Sequence, residues 1–448
     1  MLRRKDQVLS MLDSALKRSP GDATELVHIE NREATARFAE NIIHQNMDST
    51  DARVIVRLVK DGRVAVSSTN DLTDSGLDRM LADAAQIASL LEPDSSFPGL
   101  ADPATTKTVA AFHDSTAHLS PKSRAEAIAE FAKQAKASGL EASGMYQTEE
   151  QSIAVANSLG VRQWHSETRA ELSISTSDDP TFGQGWSIGA ARDVSRLDTV
   201  RLSTIAIDKA VRSRNPETIP VGDYTVILEP GAVGQMLLFL GFLAFSGKSF
   251  AQGRGVLSGK IGEEVTGDNI TIIDDPFLPE YPGMPFDYEG TPKQTVALIE
   301  SGVARGVVHD RRSAKMANVQ STGHALPPDT ARGPYPKNLV MSAGTATMEN
   351  MIASTERGLL ITHFWYLNYL NPMKAQLTGS TRDGTFLIEN GKLAKPVRNM
   401  RATPAVLEVL SRVEMIGRER SIYPQYSAAM YVPALKIAAF PFVEDTES

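Results

Sequence analysis

Residues 287–324, DYEGTPKQTVALIESGVARGVVHDRRSAKMANVQSTGH, carry the most information about how this chain folds. Two short strands are expected, Gln294–Glu300 and Ala304–His309, joined by a turn at Ser301-Gly302. Val296, Leu298, Val307 and Val308 supply strand-forming side chains, and Gly302 can take the positive φ that such a turn requires. A polar, helix-like run follows over Asp310–Val319, and then a tight turn at Ser321-Thr322-Gly323-His324.

Working outward, the chain of 448 residues is long for one core, so at least two domains are expected. Toward the N-terminus, Lys5–Lys17 places Val8, Leu9, Leu12 and Leu16 on one helical face that docks on its own domain. Ala52–Leu58 and Arg63–Ser68 read as strands around a Lys60-Asp61-Gly62 turn. A helix from about Ser75 directs Leu77, Met80, Leu81, Ala84, Ile87 and Leu91 inward. Residues 92–119 lack periodicity and read as a linker, after which Ser120-Pro121 opens another helix. Strands near 141–147, 150–157, 161–176 and 183–192 and a helix over about 197–213 complete a first domain, 1–218, with subsegments 1–95 and 119–218. From Gly222 onward short strands are punctuated by Gly and Pro, which predicts a curved, barrel-like β domain over 219–448. The fold class expected is α+β: antiparallel strands with flanking helices, then a curved β domain enclosing a buried helix. Met236–Phe245 is that helix, too short for the roughly 20 residues that cross a bilayer.

The order of elements in 287–324 resembles the TldD/PmbA family of protease-related proteins. The matching blocks are Glu289-Gly290-Thr291-Pro292, Leu298-Ile299-Glu300-Ser301-Gly302, Asp310-Arg311 and Thr322-Gly323-His324. Arg37–Asn41, Asp61-Gly62-Arg63 and Ser68–Asp71 are similar to the family's first segment. Phe386–Lys392, Pro396-Val397 and Ile416-Gly417 are similar to its last. The resemblance implies an N-terminal α+β half and a C-terminal curved sheet around a central helix.

One departure decides the functional expectation. In the catalytic branch of the family the helix after the strand Tyr224–Leu228 carries HExxxH, two zinc-binding histidines and a glutamate that activates water. Anchored on Ala232-Val233-Gly234, the histidine positions fall here on Pro230 and Gln235, and the glutamate position on Gly231. Proline has no donor atom, a neutral amide is a poor zinc ligand, and glycine cannot act as a base. The catalytic branch also uses a C-terminal cysteine, and this chain has none. The resemblance therefore implies the non-catalytic TldE/PmbA branch. That branch has no catalytic residue and no metal or cofactor on its own chain, and zinc is carried by a TldD-like partner. The expected ligand is a peptide or unfolded polypeptide. Two other readings stay open: a homodimer that binds peptides or another ligand without cleavage, and a metal-independent hydrolase.

Composition narrows the setting. A net charge of −8 argues against generic nucleic-acid affinity, and the small basic spot Arg311-Arg312 with Lys315 is expected to be solvated or salt-bridged. Absence of cysteine excludes disulfides and thiolate metal sites and fits a reducing cytoplasm. The basic N-terminus lacks an apolar signal core, so neither secretion nor membrane attachment is expected.

The remaining motifs are weaker. Gly247-Lys248-Ser249 lacks the spacing and preceding strand of a phosphate loop, and Gly253, Gly255 and Gly259 form a flexible loop. His113 and His118 lie in the linker and are expected to be solvated. His309, His324 and His363 occupy segments that could converge, as metal ligands with carboxylates or as peptide contacts. Ser321 or Ser342 with His324 or His363 and Asp310 would make a nucleophilic site, but no elbow motif marks it. Thr362–Pro372 concentrates Phe364, Trp365, Tyr366 and Tyr369, which read equally as a peptide-binding wall, a dimer surface or a core strand. Glu229 is expected to cap the helix that follows it.

Overall fold

A computed structural model describes residues 2–179, 182–425 and 428–445. The fold is α+β, and its strands form two sheets. The first contains β1 (Ala23–Ala39), β2 (Ile42–Lys60), β3 (Arg63–Thr69), β4 (Glu141–Asn157), β5 (Arg162–Asp179) and β6 (Phe182–Ala191). They are antiparallel throughout, in the order β3-β2-β1-β4-β5-β6. The expected turn at Asp61-Gly62 is present, with φ of 50° and 74°. The two strands expected between 141 and 157 are one. The expected gap falls at Thr148-Glu149, but Glu149 pairs with Arg169 on β5 at 3.0 Å, so the ladder runs through it.

Helices cover this sheet. α1 (Lys5–Arg18) and α2 (Asp74–Leu90) bury Val8, Leu12, Ala15, Leu77, Leu81 and Ala84 against Leu26, Val54 and Leu58. The inward face of α2 ends at Ala88; Ile87 and Leu91 are exposed, because the line through 77, 81, 84 and 88 drifts away from them. After α3 (Asp114–Ala117), α4 (Pro121–Ala137) and α5 (Thr199–Arg212) close over the other part of the sheet around Phe38, Tyr146, Leu172 and Ile174.

The aperiodic stretch 92–119 is held in place. Arg312 pairs with Asp94 at 2.7 Å, Lys315 donates to the Ser95 and Phe97 carbonyls, and Arg311 donates to the Leu100 carbonyl. The basic spot seen in the sequence is thus a strap between a loop of the first half and the helix after 310.

The second sheet contains β7 (Gly222–Leu228), β8 (Ile272–Asp274), β9 (Val296–Glu300), β10 (Val303–Ala304), β11 (Asn338–Met341), β12 (Arg357–Asn371), β13 (Gln376–Glu389), β14 (Lys392–Pro396), β15 (Met400–Ala402), β16 (Val413–Gln425) and β17 (Ala428–Asp445). β7 pairs with both β12 and β17, so β7, β12, β13, β15 and β17 close into a ring. This is the expected barrel-like curvature. α6 (Pro230–Leu243) packs on β12, β16 and β17, and its Val233, Met236, Leu237 and Leu240 join the largest apolar cluster.

The hairpin in 287–324 turns at Ser301 and Gly302, with φ of 47° and 80°. Its second strand is shorter than the sequence suggests. Only Val303 and Ala304 pair with β9, because Val308 is taken by the segment after α6: its N–H donates to the Phe245 carbonyl and its carbonyl accepts from Gly247 N–H. α7 (Gly247–Ala251) starts there, and Gly247 is required, since a Cβ would lie 2.4 Å from the His309 ring. α8 (Arg311–Ala317) is capped by the Asp310 carboxylate, which accepts from Ser313 N–H at 2.7 Å. α9 (Met348–Ala353) and α10 (Val406–Leu410) complete the chain. Among the described residues no helix is long and apolar enough to cross a membrane.

Candidate functional site

β7 and β12 run in parallel from Thr225/Gly358 to Leu228/Ile361, and Glu229 N–H donates to the Ile361 carbonyl. The chain then turns into α6 while β12 continues alone, leaving the next backbone groups on that edge without a strand. Gln235 replaces it: its Nε2 donates to the Phe364 carbonyl at 2.9 Å, and its Oε1 accepts from Phe364 N–H at 2.7 Å. A side-chain amide thus extends the ladder as a peptide group would.

One turn earlier on α6, Gly231 faces Trp186 of β6. A Cβ at 231 would meet the Trp186 ring at 2.9 Å and the Thr362 carbonyl at 3.2 Å. Trp186 is held by stacking on His363, centroids 4.2 Å apart, and His363 Nε2 bonds the Asp383 carboxylate at 2.7 Å. Pro230 occupies the first turn of the helix. A divalent metal held as in the catalytic branch does not fit these residues. Pro230 offers no donor, Gly231 has no side chain, and both polar atoms of Gln235 are engaged. No group of three or more His, Cys, Asp or Glu that could hold a metal occurs among the described residues.

Trp186, Pro230, Gly231 and Thr362 border a groove of about 600 Å³. Its lining comes from α5 and β6, the start of α6, β16, and α9 with the two residues before it. The lining mixes signs: Lys209, Arg201 and Arg418 alternate with Asp208, Glu229, Glu349 and Glu419, while Trp186 and Tyr423 supply apolar surface. Glu229 does not cap α6. Its carboxylate pairs with the largely buried Lys209 of α5, an ion-pair partner the helix N-terminus cannot match. The volume lies within the roughly 300–1,000 Å³ of ligand sites.

The three histidines do not meet at one site: His363 lies with Trp186 and Asp383, apart from the other two. His309 and His324 belong to a buried hub built by the 287–324 stretch. His324 Nε2 bonds Asp274 at 2.8 Å and its Nδ1 bonds the Thr322 hydroxyl at 2.9 Å. Burial pushes the His324 pKa down, partly offset by Asp274. The Asp274 carboxyl would be raised by burial, but His324 more than offsets this and it lies below its usual range. The imidazole and the carboxylate form one fully buried hydrogen-bonded pair. His309 Nδ1 contacts the Ser313 hydroxyl at 3.2 Å, and burial lowers its pKa too. In the same hub Asp287 accepts from the N–H groups of Glu289, Thr291 and Ala325, which folds the EGTP loop around it. Glu289 then reaches Arg57 at 3.2 Å and Arg311 N–H at 3.0 Å.

The weaker motifs take ordinary structural roles. Ser321 donates to the His309 carbonyl and Asp310 is a helix cap, so no nucleophilic triad forms with His324. Lys248 donates to the Ala331 carbonyl, not into a phosphate cradle. His118 is exposed and His113 lies 3.8 Å from Asp193. Of the aromatic segment, Phe364 is buried and stacks on Phe440, whereas Trp365, Tyr366 and Tyr369 are 48%, 82% and 40% exposed on the projecting end of β12. The segment is core at one end and surface at the other. Trp186, Tyr423 and Lys209 escaped sequence reading, since nothing in their local sequence marks them.

Residues 221–443 match the profile described as PmbA/TldA metallopeptidase C-terminal domain, and residues 24–88 match PmbA/TldA metallopeptidase domain 1. A metalloprotease TldD homolog of Haemophilus influenzae is 29% identical over 215 residues, 47% of this chain and 44% of that protein. The matches to TldD homologs thus span about half of those proteins or less. The metalloprotease PmbA homolog of the same organism is 24% identical over 385 residues, 80% of this chain and 81% of that protein. The structure is similar to TldE from Thermococcus kodakarensis, with a TM-score of 0.89 at 22% identity over 98% of this chain and 100% of that one. Two matched domain profiles and a fold shared from end to end place the chain in the TldD/PmbA family of metallopeptidase-related proteins.

Proposed function

We propose that this chain is the metal-free, TldE/PmbA-like subunit of a two-chain cytoplasmic peptidase whose TldD-like partner carries zinc and activates water. The observation that carries the reading is the use made of the metal positions. Gln235 spends its amide on the β12 backbone, and Trp186 fills the space that a side chain at 231 would need. The groove beside them stays open at about 600 Å³ and is lined by charges of both signs, the surface an extended polypeptide with mixed side chains can use. In this reading the chain holds and orients substrate and completes the channel of its partner.

The test is purification from the native host under gentle conditions, with native mass, metal analysis and peptidase assay. A complex with a second chain of similar size, about one zinc per pair and chelator-sensitive activity supports the proposal. A metal-free homodimer that binds peptides saturably without cleaving them supports a stand-alone binding protein instead. Zinc on the isolated chain, or cleavage blocked by a serine-directed probe, refutes both.

A further inference from the structure

A second cavity, of about 260 Å³, shares no lining residue with the groove. It lies between the face of β4 and β5 and the loops of the C-terminal half that carry Tyr281, Tyr288, Lys293 and Lys337. Its volume is below the roughly 300–1,000 Å³ of drug-sized ligand sites, which excludes peptides and nucleotide cofactors.

Charge is unbalanced inside it. Arg169 pairs with Glu149 at 3.0 Å, and Arg192 pairs with Glu167 at 3.0 Å, so these four neutralise one another. Lys293 and Lys337 are left over. Neither ammonium makes a hydrogen bond or ion pair with any described residue, although Lys293 is only 7% exposed. The Lys337 ammonium rests over the Tyr288 ring, 4.9 Å from its centroid. The Tyr281 and Tyr288 hydroxyls, on side chains about as buried as Lys293, also lack partners among the described residues. Buried cations are normally paired, and buried hydroxyls normally bonded.

Burial lowers the Lys293 pKa, Asp274 partly offsets this, and the like charge of Lys337 lowers it again. Lys337 is pushed down to about 8 by burial, so it still carries its proton at neutral pH. The two ammonium groups repel each other, and the carboxylates that act on them, Asp274, Asp287 and Glu167, are each bonded to another partner.

We propose that this cavity binds a small dianionic oxyanion between the Lys293 and Lys337 ammonium groups, with the Tyr281 and Tyr288 hydroxyls as further donors. Phosphate and small dicarboxylates share the required chemistry, two negative charges and several acceptor oxygens. Because the walls come from both sheets, the anion braces the two halves against each other, and binding raises the unfolding temperature.

The test is isothermal titration and thermal unfolding of the full chain with inorganic phosphate and with succinate, using chloride at equal ionic strength as control. Saturable binding is expected, with a rise in Tm that chloride does not reproduce. Lys293→Met and Lys337→Met each weaken it at least tenfold. Preference for phosphate assigns a phosphoryl ligand and preference for succinate a dicarboxylate; both uphold the site. If Lys293→Met fails to fold, Lys337→Met, at a less buried position, gives the same readout. Absence of saturable binding of either anion to the native chain, or unchanged affinity in the folded variants, overturns the proposal.

Discussion

Replacing Gln235 by alanine asks whether a helix side chain can act as a strand. The substitution removes the donor to the Phe364 carbonyl and the acceptor for Phe364 N–H, and Phe364 is 1% exposed. Each hydrogen bond contributes about 0.5–1.5 kcal/mol net, and leaving a buried partner unsatisfied costs about 1–3 kcal/mol. Two such groups give about 2–6 kcal/mol, with the lower end applying if water enters from the groove that borders Thr362. Urea unfolding followed by far-ultraviolet circular dichroism reads this directly as a fall in midpoint at constant slope. Gln235→Glu sharpens the argument. The carboxylate can still accept from Phe364 N–H but sets an oxygen against the Phe364 carbonyl. Its folded pKa is therefore raised, so its stabilising contribution is complete at acid pH and is lost as pH rises through that folded value. A loss below about 0.5 kcal/mol for Gln235→Ala, or a Gln235→Glu variant with the same pH profile as the native chain, would refute the ladder-extension reading.

Further substitutions probe the same architecture. Gly231→Glu is expected to cost about 1–3 kcal/mol by overpacking against Trp186, and Trp186→Gly in the same chain should recover most of that loss in a double-mutant cycle on Tm. Arg57→Met leaves the fully buried Glu25 and the nearby Glu289 without their cation and should destabilise by about 3–5 kcal/mol in urea titrations. His28 and Glu25, both on β1, oppose each other in pH. Burial, with Arg3 adding to it, depresses His28 to about 4, so its contribution is present above the ordinary 6.5 and lost as pH falls toward 4. Burial raises Glu25 to about 7 against the pull of Arg57, so its contribution is present below the ordinary 4.5 and lost as pH rises through 7. Glu25→Gln should therefore expose a loss of up to about 3 kcal/mol between pH 7 and 4, and His28→Leu the reverse slope.

Much of the architecture was legible because it rests on local rules. Periodicity located α1 and α2, the Ser120-Pro121 start located α4, and turn residues at Asp61-Gly62 and Ser301-Gly302 located two hairpins. Reading failed where a distant partner overrides local character. Glu149 looks like a strand break until Arg169 sits opposite it, and Val308 looks like hairpin until Phe245 and Gly247 claim its backbone. The stretch 92–119 reads as a tether because the arginines that hold it lie some two hundred positions away. Barrel closure through β7, β12 and β17 is likewise a pairing of segments distant in sequence, which no periodicity encodes.

The site divides in the same way. That Pro230, Gly231 and Gln235 cannot form an HExxxH centre follows from residue types alone. What those residues do instead depends on β12 outlasting β7, and only the register shows it. The consequence is physical. A histidine at 235 could offer Phe364 a donor or an acceptor through one ring nitrogen but not the parallel pair an amide gives. A glutamate at 231 would have to displace Trp186 from its stack on His363. Rebuilding the metal motif on this chain therefore meets two separate structural penalties, one at the strand edge and one at the indole. A single substitution at either position removes neither the other penalty nor the absence of a donor at Pro230. Gly231→Glu with Trp186→Gly should accordingly restore stability without restoring chelator-sensitive cleavage, and zinc-dependent activity in that double variant would show that the groove was a metal centre held closed by the indole alone.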